Sequence, residues 1–187
     1  MKTFLAASDF HFPHADRRAV AAFVKDVEEQ QPSFVVLNGD LLDGADLARE
    51  YIKYRAFLAE IRRVYRGEVL AVVGNHDEAH GLRVAKNALQ TGVAARVSFR
   101  RGPFTFVHGS FHSELYAEET HREWFLRSHR GVYVVGHSHR PQYYQSGGAA
   151  VLGLPCMAKQ GVPGAALGWA RGWWHRSRFG VETVVVG

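Results

Sequence analysis

Residues 70–77 read Leu-Ala-Val-Val-Gly-Asn-His-Asp (LAVVGNHD). Four apolar residues in a row suit a strand covered on both faces, as at the centre of a layered α/β domain. Gly74 then breaks the strand, and an amide, an imidazole and a carboxylate follow at once. In open α/β sheets ligands sit in the crevice beyond the carboxyl ends of strands. Taken alone, Gly74–Asp77 reads equally well as a polar turn that caps the next helix. The chain on either side decides between the two readings.

Upstream, Thr3–Ala7 reads as a buried strand ending in Ser8-Asp9-Phe10-His11. A helix follows from about Asp16 to Gln30, with Val20, Phe23, Val24 and Val27 on one face, and Pro32 stops it. Phe34–Leu37 is a second buried strand, running into Asn38-Gly39-Asp40-Leu41-Leu42-Asp43. A longer helix spans about Ala45 to Arg66, with Leu47, Tyr51, Tyr54, Leu58, Ile61 and Tyr65 on its apolar face. Strand, helix, strand, helix, strand predicts parallel strands with right-handed crossovers. Downstream, a short helix is expected at Leu82–Leu89 and a helical segment near Glu118–Arg127. Val93–Phe99, Phe104–Val107 and Val132–Val135 read as strands. The stretches Ala149–Leu152, Ala165–Trp169 and Val181–Val186 predict antiparallel strands closing a second sheet.

The totals narrow the class. At 187 residues the chain suits one compact domain, residues 1–187, with a sizeable core. Cys156 is the single cysteine, so neither an intrachain disulfide nor a thiolate metal cluster can form, in keeping with a cytoplasmic setting. The opening MKTFLAASDF is too short in apolar residues for a secretory signal, and no run approaches bilayer length, so no membrane partner is expected. Lys and Arg exceed Asp and Glu by five, which favours polyanionic partners but serves solubility equally well.

Each predicted strand end carries metal-type donors. The first gives Asp9 and His11, alternate residues that can face one ion. The second gives Asp40 and, three residues on, Asp43. The third gives Asn75, His76 and Asp77. Phe104–Val107 runs into His108-Gly109, and Val132–Val135 into Gly136-His137-Ser138-His139. Isolated histidines are ordinary surface or core residues, but this recurrence after five apolar strands favours a shared site. Mixed oxygen and nitrogen donors without thiolate suit manganese, iron, zinc or nickel better than calcium or magnesium.

Through Asp9-x-His11, Gly39-Asp40-x-x-Asp43, Gly74-Asn75-His76-Asp77, His108 and Gly136-His137-x-His139, the chain resembles the calcineurin-like metallophosphoesterase family. The resemblance implies a mixed parallel and antiparallel two-sheet αββα sandwich around two divalent metal ions, manganese first, with iron, zinc or nickel as the other candidates. It implies Asp9, His11 and His139 on one ion, Asn75, His108 and His137 on the other, and Asp40 bridging both. A hydroxide between the ions would attack phosphorus. His76 would donate a proton toward the leaving oxygen, with Asp77 fixing its tautomer. Asp43 would sit behind the ligands, or else cap the following helix.

The motifs bear on the substrate as well. Gly44-Ala45 stands where the serine/threonine protein phosphatase branch carries Arg-Gly, and Asp77 where that branch has Glu. The chain instead resembles the small bacterial and bacteriophage phosphodiesterase branch, some members of which replace the motif His with Cys; here it is His76. The expected activity is phosphodiester hydrolysis, with nucleotides or nucleic acid as candidate substrates. Phosphomonoester hydrolysis by the same chemistry is the alternative. Two readings from other classes are a non-catalytic metal-binding scaffold and a nucleic-acid-binding module built on the Trp169, Trp173 and Trp174 segment (GWARGWWHRSR). Alternation favours Trp169 and Trp173 as core. His14, His80 and His112 read as surface loop residues, His121, Trp124 and Phe125 as a helix over the core, and Cys156 as a buried packing thiol.

Overall fold

Alternating strands and helices build the first half of the chain: β1 (Lys2–Ala7), α1 (Arg17–Gln30), β2 (Phe34–Asn38), α2 (Leu47–Val64) and β3 (Glu68–Val72). The computed structural model describes residues 1–79, 94–109, 126–158 and 162–187. The three strands pair in parallel, Phe4 beside Phe34 and Val36 beside Leu70. Asp16 caps α1, its Oδ1 accepting from the Arg18 and Ala19 amides at 2.9 Å. Asp46, not Asp43, caps α2 by accepting from the Arg49 amide at 3.2 Å. Buried Glu50 reaches back from the first turn of α2 to the Gly44 and Asp46 amides at 2.9 and 2.7 Å. The loop between β2 and α2 is thereby closed on itself, which holds Asp40 and Asp43 in place.

Past a short helix α3 (Asn75–Ala79), the remaining strands are β4 (Ala94–Arg96), β5 (Ser98–Arg101), β6 (Phe104–Val107), β7 (Gly131–Val135), β8 (Gln142–Ser146), β9 (Ala149–Gly153), β10 (Gly168–His175) and β11 (Arg178–Val185). They complete a six-stranded sheet, β11-β10-β1-β2-β3-β4, and a five-stranded sheet, β5-β6-β7-β9-β8. The expected single strand over Val93–Phe99 is divided at Val97, its halves belonging to different sheets. The carboxy-terminal hairpin also departs from expectation: it extends the first sheet, antiparallel to β1, instead of closing the second. The Phe4 ring lies where a Cβ on Gly172 would stand, so β10 can seat against β1 only with glycine there. Residues 82–89, and most of the segment near Glu118–Arg127, lie outside the described residues. Leu126–Ser128 is helical.

Three apolar clusters result, the smallest formed by Val107, Leu126, Val135, Ala149 and Val151. Phe10, Phe12, Phe23, Phe57 and Ile61 fill the space between the first sheet and its helices. Phe4, Phe34, Phe104 and Phe106 fill the space between the sheets, with Phe4 edge-on to Phe104 and Phe106 at 4.8 and 5.0 Å between centroids. Trp169 is buried against Phe23, whereas Trp174 packs on the opposite face beside Phe34 and Phe104. Trp173, expected in the core by alternation, is instead 38% exposed.

A polar clasp fixes α1 to β10. Buried Asp26 accepts from Trp169 Nε1 at 2.6 Å and from Arg171 Nε and Nη2 at 2.9 and 2.7 Å. Arg171 is partly exposed and its charge partly screened, so the larger cost of losing Asp26 is the buried indole N–H left without an acceptor. Asp26→Ala is expected to lower unfolding free energy by about 2 kcal/mol, read from the midpoint of a urea melt.

Candidate metal centre

The carboxyl ends of β1, β2, β3, β6 and β7 meet at one place, and the backbone there is unusual. Asp9, His11, Asp40, His137 and His139 all have positive φ, between 45° and 81°. Non-glycine residues pay about 1 kcal/mol or more for that region, and such conformations gather at functional sites. Here they curl the strand ends so that successive donors turn to a common point.

Asp9 Oδ1 lies 3.4 Å from His139 Nε2, and its carboxylate accepts from the His137 amide at 3.0 Å and from the Ser8 hydroxyl. Asp40 Oδ2 lies 3.2 Å from His108 Nε2 and 3.8 Å from His11 Nε2, while Oδ1 accepts from the His76 amide at 3.0 Å. Asp40 is therefore central. On one side Asp9, His11 and His139 bring donor atoms within 4.8 Å of one another; on the other Asp40, His108 and His137 do the same. Asn75 stands at the start of α3.

Donor chemistry in this cluster fits divalent cations. His11 Nε2, Asn75 Oδ1 and His139 Nδ1 are buried and make no hydrogen bond. Buried polar atoms are almost always satisfied, and three exceptions in one cluster call for a shared electrophile. The His108 ring is also oriented for ligation: Nδ1 donates to the Asn38 carbonyl at 3.1 Å, which leaves Nε2 toward Asp40.

Electrostatics are strongly coupled. Burial opposes ionisation of Asp40, but the rings of His108 and His11 and the His76 amide outweigh it and hold the carboxyl at about 2. Burial likewise opposes charge on His108, but Asp40 and Asp9 outweigh it and raise the imidazole to about 9. Burial lowers His11 and His137, leaving both neutral near pH 7. In metal-stripped protein His108 thus keeps a proton up to about pH 9 that a cation at Nε2 must displace. Metal uptake at about pH 7.5 in weak buffer is expected to release about one proton per chain, with affinity rising as pH approaches 9. Titration followed by a pH indicator reads this, and proton-neutral uptake would refute it.

Asp77 does not play the part expected of it. Its Oδ1 accepts from the Leu41 and Leu42 amides and its Oδ2 from the Gly74 amide, at 2.9–3.0 Å. It is a buried brace between the loops after β2 and β3, and burial pushes its carboxyl up to about 6 against the pull of those amides. The acceptor at His76 Nδ1 is the Asp43 carbonyl, at 3.0 Å. A carbonyl only accepts, so Nδ1 carries the proton and Nε2 is the free position. The Asp43 carboxylate stands 3.3 Å from His11 Nδ1 and 3.6 Å from His14 Nε2. His14 is 58% exposed at its side chain, and Cys156 is buried, both as read from the sequence. His80, His112, His121, Trp124 and Phe125 lie outside the described residues.

Sequence reasoning passed over Ser8 and Asn38. Asn38 Nδ2 donates to the Val107 and Val134 carbonyls at 3.1 and 3.3 Å, which ties β2 to the second sheet directly beneath the site. The available signal was a polar residue ending each apolar strand just before the first carboxylate. Strand ends this close leave no room for Cβ atoms: one at Gly74 would strike the Asp40 carboxylate, and one at Gly136 the Ser8 hydroxyl.

Fold and site together define a two-sheet α/β sandwich of the metallophosphoesterase type with a candidate metal-binding cluster. A family model described as the calcineurin-like phosphoesterase superfamily domain matches residues 1–167, and the chain belongs to that family. Among solved structures it is similar to YfcE, a phosphoesterase from E. coli, at 20% identity over 90% of this chain and 87% of that one, with a TM-score of 0.59. A structure described as a novel archaeal phosphodiesterase is 14% identical over 97% and 99% of the two chains, with a TM-score of 0.59. Vps29 from Entamoeba histolytica, complexed with zinc, is 17% identical over 98% of each chain, with a TM-score of 0.61. At these identities the likeness is one of fold. No curated protein matches the chain significantly. Among the described residues, no helix is long and apolar enough to cross a membrane.

Proposed function

We propose that the protein is a metal-dependent phosphodiesterase that holds two divalent cations, manganese foremost, at the strand ends. Asp9, His11 and His139 would hold one, Asn75, His108 and His137 the other, and Asp40, central to both sets, would be shared. The observation that carries this reading is the two adjoining donor clusters, Asp9–His11–His139 and Asp40–His108–His137, with His11 Nε2 and Asn75 Oδ1 buried and without a hydrogen bond. When bound, two such cations polarise phosphoryl oxygens and acidify water near neutral pH.

The remaining steps fall to the chain's own groups. Ser8 and the His137 amide orient Asp9, the Asn38 carbonyl sets the His108 tautomer, and Asp43 backs His11. His76, with Nδ1 committed to the Asp43 carbonyl and its ring 4.7 Å from that of His11, would as the imidazolium, protonated at both nitrogens, pass the Nε2 proton to a departing alkoxide and be left neutral. A diester with a poor leaving group gains most from such a donor, which favours diesters over monoesters. The similarity to a structure described as an archaeal phosphodiesterase supports the same choice. A scaffold needs neither the complete donor set nor a positioned imidazole.

Metal-stripped protein assayed on a panel of mono- and diesters, with manganese, iron, zinc or nickel added back singly, tests the proposal. Diester turnover restored by one of these ions is the expected result. Preference for monoesters would move the assignment to the monoesterase alternative, and silence on all esters with every ion would overturn hydrolysis.

A further inference from the structure

A groove of about 400 Å³ runs between α1 and α2, lined by Ala15, Val20, Ala21 and Ala56 with the edges of the buried Phe12 and Phe57, and by Arg17, Arg49 and Lys53. It lies beside the candidate centre. Phe12 follows His11 directly, its amide donates to the Leu41 carbonyl at 2.9 Å, and its carbonyl accepts from the Asp43 amide at 3.2 Å. Arg17 opens α1 and Arg49 lies in the first turn of α2, the helix ends that follow the site-bearing ends of β1 and β2.

Arg17, Arg49 and Lys53 are exposed and, among the described residues, form no ion pair. Among the described residues, Glu60 is the one carboxylate lining the groove. Two of the cations stand at the positive ends of helix dipoles, where basic side chains are unfavourable, and α1 has no acidic residue in its first turn. Arg171 and Arg101, by contrast, are engaged, the first with Asp26 and Glu182 and the second with Glu68. In the aromatic segment singled out in the sequence, Trp169 is buried and Trp174 packs on Phe34 and Phe104, which leaves only Trp173 of the three exposed, at 38%.

We infer that this groove is a subsite for a single-stranded oligonucleotide, its cations taking phosphates and its apolar lining an unpaired base while a neighbouring phosphodiester lies at the centre. The inference rests on the phosphodiesterase reading for what happens at the centre, but binding in the groove can be measured apart from it. A duplex is disfavoured, because its bases are stacked and paired away from an apolar lining.

Fluorescence anisotropy of a labelled hexathymidylate with phosphorothioate links, which keep the charge and resist hydrolysis, measures binding to the manganese-loaded protein. The variant Arg17→Gln/Arg49→Gln/Lys53→Gln is expected to lose about tenfold or more in affinity at low salt, and its log–log salt slope should shrink by about 2, for three single-strand phosphate contacts. The control Arg66→Gln/Arg176→Gln/Arg178→Gln removes equal charge at the opposite end of the sheet and should bind like the wild type. Equal loss in both variants, or no binding by the wild type at low salt, would overturn the subsite. Hydrolysis of bis(p-nitrophenyl) phosphate, too small to span the groove, should be unchanged in the groove variant; a matching loss there would place these cations at the centre instead. If the wild type leaves that diester intact with every ion, the catalytic reading fails, while the anisotropy result still decides the groove.

Discussion

Asp40→Asn is expected to lower both metal content and diester turnover, the latter by about three orders of magnitude or more, equivalent to roughly 4 kcal/mol of transition-state stabilisation. The substitution is nearly isosteric, and an amide oxygen can still accept from the His76 amide as Asp40 Oδ1 does at 3.0 Å. What it removes is a negative charge placed 3.2 Å from His108 and 3.8 Å from His11, one residue from each donor cluster. It also places an N–H where a cation would need a lone pair. Loss at any other single ligand should be milder, because Asp40 alone puts a carboxylate within 4 Å of an imidazole on each side, His108 and His11. Elemental analysis beside steady-state kinetics reads the outcome, and near-normal turnover would remove Asp40 from its central position.

Replacing His76 should separate chemistry from metal binding. His76→Ala leaves both donor clusters flanking Asp40 intact, so metal content should match the wild type. Turnover of a diester with an alkoxide leaving group should fall by about two to four orders of magnitude, the usual contribution of a positioned general acid. With p-nitrophenolate, which leaves without a proton, the loss should be much smaller. Equal losses for the two leaving groups would exclude proton donation. Loss of metal would make the ring a ligand, a role its 4.7 Å approach to His11 keeps physically open. Because the acceptor at Nδ1 is a backbone carbonyl, Asp77→Asn should act mainly on stability, through the loop contacts of Asp77 with Leu41, Leu42 and Gly74.

The parallel half of the first sheet could be read directly from the chain. Its strands are uninterrupted apolar runs, its helices carry a clear 3.6-residue face, and their boundaries shifted by only one to three residues once Asp16 and Asp46 proved to be the caps. The donors could be read for a related reason: Asp9, His11, Asp40, Asn75, His108, His137 and His139 each lie within four residues of a strand's carboxyl end, and parallel strands place those ends together. Harder to read were Ser8 and Asn38, whose importance lies in contacts with residues about 30 to 100 positions away.

Residue type and local period therefore determined the layered fold class and the set of side chains that converge, since both follow from information within a dozen residues of each strand. Tertiary structure alone decided that β10 and β11 lie against β1, that Asp77 braces two loops while Asp43 meets the imidazole of His76, and that Arg17, Arg49 and Lys53 share one groove. The physical reason is common to all three. A period-two strand, a carboxylate or an unpaired cation has several partners of equal local merit, and only the packing of distant segments, such as the Phe4 ring over Gly172, selects one.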